Sequence, residues 1–323
     1  MSRAPVILLH TDAAETARAI LAEAHGDLTV HVHDSYVGLD RMLAESRAEV
    51  VYTTRFLGPS GFPSAALLAA PDMRWISVGG SGTDHLQPWD ATRLTVTNAA
   101  GVAADMIAEY ALGMLLHFSL DLPGLSRNQS ERRWDGRAKV EPIAGRTLLI
   151  LGLGKTGQAM ARRAKAMGMH TLGMRANPAP VAHVDEVHGA AALHDLLARA
   201  DYTLVCVPLL PSTRGLLDRR AFAAIRPGSV LVDVSRGGVV DETALMEALS
   251  SGRLRGAALD VFQTEPLPTD HPLWGFGNVV ISPHCSSVYD GWEAEAFRLF
   301  ARNLIRYRRG EPLTNIVDPQ RGY

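Results

Sequence analysis

The sequence predicts an α/β protein made of two doubly wound parallel sheets, and three observations carry that prediction. Short apolar runs alternate with alanine- and leucine-rich helical stretches in two separate series, the pattern of parallel strands covered by helices. A glycine-rich turn, Gly152-Leu153-Gly154-Lys155-Thr156-Gly157, follows the first strand of the second series and opens a helix. Between the two series lies a long helical stretch, 103–120, with no strand of its own. A chain of 323 residues exceeds what one ordinary core supports, so two domains are expected.

In order, the first series places strands at 6–9, 28–32, 50–53, 75–78 and 94–97. The boundary then falls near Asn98, followed by the 103–120 helix and a charged segment at 126–141. The second series places six strands at 147–151, 169–174, 202–207, 229–234, 256–259 and 279–282. A last helix, 292–307, repeats apolar residues at Trp292, Ala296, Phe300 and Leu304, so one face must be buried. Lacking a strand partner in the second series, it is expected to return to the first domain. The expected division is 1–98 with 286–323 for one domain and 99–285 for the other.

Composition narrows the partners. With 47% apolar and 20% charged residues and a net charge of −2, nothing favours a nucleic-acid or membrane partner. The densest basic stretch, 127–146, interleaves Arg132, Arg133, Arg137 and Lys139 with Glu131, Asp135 and Glu141, which reads as a solvated arm or a subunit contact. The two cysteines, Cys206 and Cys285, give no disulfide framework, and the apolar run at 5–10 is far shorter than a signal-peptide core or a membrane span. A cytoplasmic protein is expected. His31 with His33, and the run from His183 to His188, lack the further ligand that a metal site needs, so no metal is expected.

The glycine turn has the chemistry of a dinucleotide site. Gly152 permits a tight turn, Gly154 lets a pyrophosphate approach the backbone, and Gly157 lets the helix pack closely on the strand. The helix through Ala159, Ala161, Ala164 and Met167 would aim its first N–H groups at the phosphates. An acid that binds a ribose 2′-hydroxyl is usual after the next strand, yet 171–178 holds none. Arg175 stands there instead, where a 2′-phosphate would be. One charge-assisted contact would favour NADPH over NADH by roughly 10–150-fold, with NAD as the second cofactor.

Three further residues, Arg236, Glu265 and His284, sit just beyond the ends of separate strands of the second series. Arg236 follows the 229–234 strand, and its planar fork matches a carboxylate bidentately. Asp260 and Glu265 follow the next strand, with Glu265 set between Thr264 and a proline-stiffened loop, and His284 follows the last. Ligands of doubly wound folds bind at this edge of the sheet, so the three can converge on the cofactor cleft. Asp105 and Glu109, one helical turn apart, form an alternative carboxylate pair, although charge at a helix N-terminus explains them as well. Cys285 beside His284 lacks a separate base.

In these residues the chain resembles the D-isomer-specific 2-hydroxyacid dehydrogenase family over essentially its full length. Five stretches in family order carry the resemblance: 152–157, Val207-Pro208 with 211–215, 233–242, 260–268 and 282–286. It implies a Rossmann dinucleotide-binding domain and a flavodoxin-like substrate domain, with the active site in the cleft between them. It further implies that Arg236 binds and polarises a 2-oxo acid, that His284 is the general acid or base, and that Glu265 holds His284. Cofactor contacts would extend from the 152–157 turn and Arg175 to Val207, Pro208, Thr213, Val234, Ser235, Asp260 and His284. A glycine turn at 77–85 can direct successive N–H groups at an anion, and the resemblance assigns Gly80, Ser81 and Gly82 to the substrate carboxylate.

The chemistry is consistent with that assignment: a 2-oxo acid accepts hydride at its carbonyl carbon and needs a proton for the oxygen, which an imidazolium supplies near neutral pH. The chain looks most like the glyoxylate and hydroxypyruvate reductase branch, which implies a small 2-oxo acid substrate and a homodimer made through the 116–141 region. The 54–63 loop and Tyr289 are expected to shape the substrate pocket. Departures from the family pattern are Asp233 for a frequent asparagine, Ala100 for a frequent proline and Cys285 for a small apolar residue. Rival readings are a nucleotide-sensing binding protein of the same fold, a dehydrogenase of bulkier 2-oxo acids, and a relative acting on another small oxyanion such as phosphite.

Overall fold

A computed structural model describes residues 4–24, 28–54, 61–86, 88–137, 140–319 and 321–322. It divides into two compact units, Met1–Val102 with Tyr289–Tyr323, and Ala103–Val288. The divisions fall three to four residues later than the sequence places them.

The first unit runs β1 (Val6–His10), α1 (Ala14–Ala24), β2 (Thr29–His33), α2 (Leu39–Ser46), β3 (Val50–Thr53), α3 (Ser64–Ala69), β4 (Trp75–Val78) and β5 (Thr95–Asn98). All its strand pairs are parallel, in the order β2-β1-β3-β4-β5. Strand order therefore reverses between β1 and β3, and the carboxyl ends there carry His10 and Thr53. Both faces of β1, β3 and β4 are covered, which is why these strands are largely apolar. Leu8, Val51 and Ile76 pack on Leu39, Leu43 and Leu67, while Ile7, Leu9 and Tyr52 face the opposite layer.

The second unit begins with α4 (Ala104–Ser119) and α5 (Leu122–Ser130), then β6 (Thr147–Leu151), α6 (Lys155–Ala166), β7 (His170–Met174) and β8 (Glu186–His188). It continues with α7 (Leu193–Arg199), β9 (Tyr202–Val205), α8 (Arg219–Ala224), β10 (Ser229–Asp233), α9 (Glu242–Ser250), β11 (Leu254–Leu259) and β12 (Val279–Ile281). The sheet is parallel throughout, in the order β12-β11-β10-β9-β6-β7-β8. Small residues let α4 lie against α6: Ala108 and Ala111 face a helix whose buried side holds Ala159, Ala161 and Ala164.

Among the described residues seven strands form this sheet, where the sequence predicts six. The additional strand, β8, is three residues long and half-buried, with no apolar run to announce it. Side chains fix it in place: Asp185 accepts hydrogen bonds from the Thr171 N–H at 2.8 Å and from Lys165 Nζ at 2.8 Å, and Glu186 pairs with Arg199. The His183–His188 run is thus an edge of the sheet. Asp105 and Glu109 are likewise structural, since Arg163 reaches them at 2.7 and 2.8 Å and Arg162 reaches Asp105 at 2.6 Å.

The last helix, α10 (Trp292–Arg309), belongs to the first unit, where Phe300 stacks 5.1 Å from Trp75 and Phe297 lies 4.4 Å from Tyr52. Burying each such ring contributes about 1.5–3 kcal/mol. No helix among the described residues is long and apolar enough to cross a membrane.

Candidate active site

The glycine turn lies where the strand order of the second sheet reverses, between β6 and β9, whose last residues Leu151 and Val205 are partners. Gly152 turns at φ +105° with the Cys206 carbonyl 2.8 Å from where a Cβ would stand, and a Cβ on Gly157 would overlap the Gly152 carbonyl oxygen. The fold itself requires both glycines. Gly154 differs, because its Cβ would meet nothing within 4 Å. Nothing in the chain demands a glycine there, whereas a diphosphate seated on the backbone would. Gly154 is also the N-cap of α6 and supplies no side-chain cap, so the first N–H groups of a 12-residue helix are left for an anion. The residues present fit a dinucleotide.

Around that turn, Leu153 is buried and its carbonyl accepts from Gln158 Nε2 at 2.9 Å, while Lys155 is exposed and Thr156 half-buried. Leu151 pairs with Met174, so Gly152 and Arg175 leave neighbouring strand ends. The Arg175 N–H donates to the His188 carbonyl at 3.1 Å, and its guanidinium forms no ion pair among the described residues. Cys206 donates Sγ–H to the Gly152 carbonyl at 3.1 Å, and burial pushes its thiol up to about 12, so it is no nucleophile at neutral pH.

Arg236, Glu265 and His284 follow β10, β11 and β12, three adjacent strands. His284 Nδ1 lies 2.8 Å from Glu265 Oε2, and Glu265 Oε1 accepts the Phe262 N–H at 3.0 Å. An ionised carboxylate only accepts hydrogen bonds, so the proton of this pair sits on Nδ1. Nε2 is then the atom that takes or gives a proton, and it has no partner among the described residues. The His284 side chain is 33% exposed, open enough to meet a reactant. Arg236 Nη1 donates to the Ser235 carbonyl at 2.8 Å. The next residue explains how the two loops meet: a Cβ on Gly237 would overlap the Phe262 carbonyl, so only glycine lets the Arg236 turn press on the Glu265 loop.

Asp260 holds the histidine loop. Its buried carboxylate accepts from Ser282 Oγ at 2.6 Å, from the Cys285 N–H at 2.9 Å and from the Ser286 N–H at 3.1 Å. Tyr110 of α4 stands 2.8 Å from Ser282 Oγ and, since Ser282 gives its hydrogen to Asp260, donates to it. His284 itself sits at φ 51°, a backbone conformation that side chains disfavour and that this clamp sustains. Cys285 is half-buried, and its N–H is part of the same clamp.

The other residues expected at the cofactor build their own loops. Thr213 Oγ1 donates to the Pro208 carbonyl at 2.6 Å and accepts the Leu210 N–H at 2.8 Å, closing the loop that begins at Val207. That loop joins the Arg236 turn through the Gly215 N–H and Gly238 carbonyl at 2.8 Å. Ser235 donates both N–H and Oγ–H to Asp233 Oδ1, at 2.9 and 2.5 Å, and Val234 is buried between them. Tyr110 and Ser282 escape sequence reasoning. A tyrosine inside a long apolar helix gives no sign that its hydroxyl reaches a loop 172 residues away.

Within the first unit, the carbonyls of Gly80 and Ser81 accept from the Ala99 N–H at 2.9 Å and from Asn98 Nδ2 at 2.7 Å. The N–H groups of Gly80, Ser81 and Gly82 have no acceptor among the described residues, and Gly80 and Ser81 are exposed. Ala100 donates its N–H to Asn98 Oδ1 at 3.1 Å, a bond that proline cannot make. Tyr289 donates its hydroxyl to the Val102 carbonyl at 3.3 Å. Of the 54–63 loop, residues 55–60 lie outside the described residues.

Known proteins resemble this chain in sequence and fold. The profile of the D-isomer specific 2-hydroxyacid dehydrogenase NAD-binding domain matches residues 112–286. D-3-phosphoglycerate dehydrogenase of Methanocaldococcus jannaschii is 34% identical over 253 residues, covering 77% of this chain and 48% of that protein. The chain thus spans about half the length of the first curated relatives it matches. Glyoxylate reductase of Korarchaeum cryptofilum is 33% identical over 261 residues, 78% of each chain. A D-isomer specific 2-hydroxyacid dehydrogenase from Xanthobacter autotrophicus, solved with NADPH and MES, superposes with a TM-score of 0.86 at 30% identity, covering 99% of this chain and 100% of that one. Ala103–Val288 carries a NAD-binding domain, and the chain belongs to the D-isomer specific 2-hydroxyacid dehydrogenase family.

Proposed function

We propose that the protein reduces a small 2-oxo acid of the glyoxylate or hydroxypyruvate type to its 2-hydroxy acid, with NADPH preferred and NADH as the second cofactor. The observation that carries this reading is the His284–Glu265 pair, 2.8 Å apart with Nε2 left for the substrate. A bound nicotinamide supplies the hydride for the carbonyl carbon. Protonated His284 gives the proton to the carbonyl oxygen from Nε2, while Glu265 holds the ring through Nδ1 and offsets its charge. Arg236 binds the 2-oxo acid and draws charge onto the oxygen that is protonated. The open N–H groups of Gly80, Ser81 and Gly82 suit a carboxylate. In the reverse direction neutral His284 takes the hydroxyl proton.

The dinucleotide would be held by the Gly152–Gly157 turn, by Val207, Pro208 and Thr213, and by Val234, Ser235 and Asp260, with Arg175 placed for a 2′-phosphate. Arg175→Gln therefore lowers the ratio of kcat/KM for NADPH over NADH by roughly 10–150-fold. An unchanged ratio ends that assignment. We also infer a homodimer, because Leu120, Leu122, Leu125, Trp134 and Val140 are all exposed within the 116–141 region. Sedimentation at micromolar concentration checks it. Two free cysteines agree with a reducing, cytoplasmic setting.

The deciding experiment measures NADPH and NADH oxidation with glyoxylate, hydroxypyruvate, pyruvate and an aryl 2-oxo acid, and NAD reduction with D-3-phosphoglycerate. Fastest turnover of a small oxo acid with NADPH is expected. Preference for the aryl acid or for phosphoglycerate moves the substrate assignment, and tight NADPH binding without any turnover favours a nucleotide-sensing binding protein.

A further inference from the structure

We propose that Glu242, the first residue of α9, is a positioning residue for the proton-transfer pair, holding the Phe262–Glu265 loop so that Glu265 meets His284. This inference rests on the reading of His284 and Glu265 given above.

Two consecutive amides of that loop bind two different carboxylates. The Phe262 N–H donates to Glu265 Oε1 at 3.0 Å, and the Gln263 N–H donates to Glu242 Oε1 at 2.7 Å. Between those two amides, the Phe262 carbonyl rests against Gly237. Both amides are therefore held, the Phe262 N–H by the loop's own Glu265 and the Gln263 N–H by Glu242 of the preceding strand connection. Phe262 also packs in the core with Ala244 and Leu245 of α9, so the Glu242 bond adds a directional hold on the backbone to that apolar contact.

Glu242 is itself held in place. Its other oxygen lies 3.5 Å from His271 Nε2, and both side chains are about four-fifths buried, at 18% and 20% exposure. His271 Nδ1 accepts the Leu273 N–H at 3.3 Å, which puts the ring proton on Nε2, toward Glu242. Helix capping does not account for the glutamate, because Asp241 already caps α9 through the Ala244 N–H at 3.1 Å. An acid in the first turn suits the helix dipole whatever its rotamer. As placed, Glu242 Oε1 reaches the Gln263 N–H.

The test compares wild type with Glu242→Ala, Glu242→Gln, Glu265→Gln and the Glu242→Ala/Glu265→Gln double variant. For each, kcat and KM are measured with glyoxylate and NADPH, and the NADPH Kd by fluorescence. A displaced catalytic group costs up to about 100-fold, so Glu242→Ala is expected to lose about 10–100-fold in kcat with an unchanged NADPH Kd. Glu242→Gln keeps a carbonyl oxygen for Gln263 and should recover most of that loss. On the Glu265→Gln background, Glu242→Ala should cost nothing further, because the two act through one contact.

Full kcat in Glu242→Ala, or the same fold-loss with and without Glu265, overturns the proposal. So does a loss of NADPH affinity that matches the loss in kcat, which would mean damage to the whole unit. If Glu265→Gln alone leaves kcat unchanged, the proton-transfer reading fails and takes this one with it. If Glu265→Gln falls and Glu242→Ala does not, this one fails alone.

Discussion

Two histidines stand at the carboxyl edges of the two sheets, His10 at the end of β1 and His284 just past β12, and their surroundings give them opposite chemistry. His10 is fully buried, with Nδ1 2.8 Å from Thr53 Oγ1 and Nε2 3.2 Å from the Ser35 carbonyl, beside the rings of His33, Tyr36 and Phe62. A carbonyl only accepts, so the His10 proton is on Nε2 and Nδ1 takes the Thr53 hydroxyl. Burial pushes its pKa down to about 4, helped by the neighbouring His33 and opposed by the Ser35 bond. His284 instead has one nitrogen on a carboxylate and the other turned outward. The same side chain is a buried fixture in one place and, in the proposed reaction, the proton carrier in the other. What differs is burial around His10 and a carboxylate bonded to the His284 ring.

Breaking the comparison at His284 gives the largest effect. His284→Ala should lose about 10²–10⁴ in kcat/KM while keeping its fold and NADPH affinity, since a positioned acid contributes that much. Steady-state rates with circular dichroism and a cofactor titration check it. Near-normal turnover would put the proton source elsewhere.

Asp233 sharpens the comparison on the acid side. It is buried below the Arg236 turn, and burial pushes its pKa up to about 7, with the charges of Asp260 and Glu242 adding to the rise and the two Ser235 bonds opposing it. The folded protein keeps this proton up to about pH 7, whereas an unfolded chain releases it near 4. The folded state thus binds more protons across that window, so stability falls as pH rises from about 4 to 7 and stays reduced above it. Asp233→Asn retains the acceptor for Ser235 and removes the cost. It should gain on the order of 4 kcal/mol over wild type at pH 8 and little at pH 4, read from urea midpoints. Parallel pH profiles would refute it.

What could be read in the sequence depended on how local the signal was. The apolar runs, the 152–157 turn and the period of α10 each announce themselves within one element, and the fold, α10's return to the first unit and the dinucleotide turn follow from them. Arg236, Glu265 and His284 are legible as a group because each stands past the end of an adjacent strand. Their fine geometry is not, since Asp260, Ser282 and Tyr110 are joined only in space. β8 was missed for a related reason: its pairing is secured by side chains of β7, α6 and α7 and has no apolar pattern of its own. Glu242 was visible only as an acid after Asp241, because its partner amide is 21 residues away.

His10 carries the smallest of these effects and completes the pair. An unfolded chain takes up the imidazole proton near pH 6.5, but the folded one does so only near 4. For a base whose pKa is lowered by folding, stability is intact above the unfolded value and is lost as pH falls toward the folded one. The first unit should therefore lose about 3 kcal/mol between pH 6.5 and 4 on account of this one ring. His10→Gln keeps a hydrogen-bonding side chain but does not titrate, so its urea midpoint should change less than that of wild type over the same range. Its kcat should stay within the order of magnitude of wild type, because His10 neither gives nor takes a proton at neutral pH. A variant with wild-type acid sensitivity would place the acid-labile group elsewhere. A collapse of kcat to the level of His284→Ala would mean that the two edges differ less in function than their surroundings dictate.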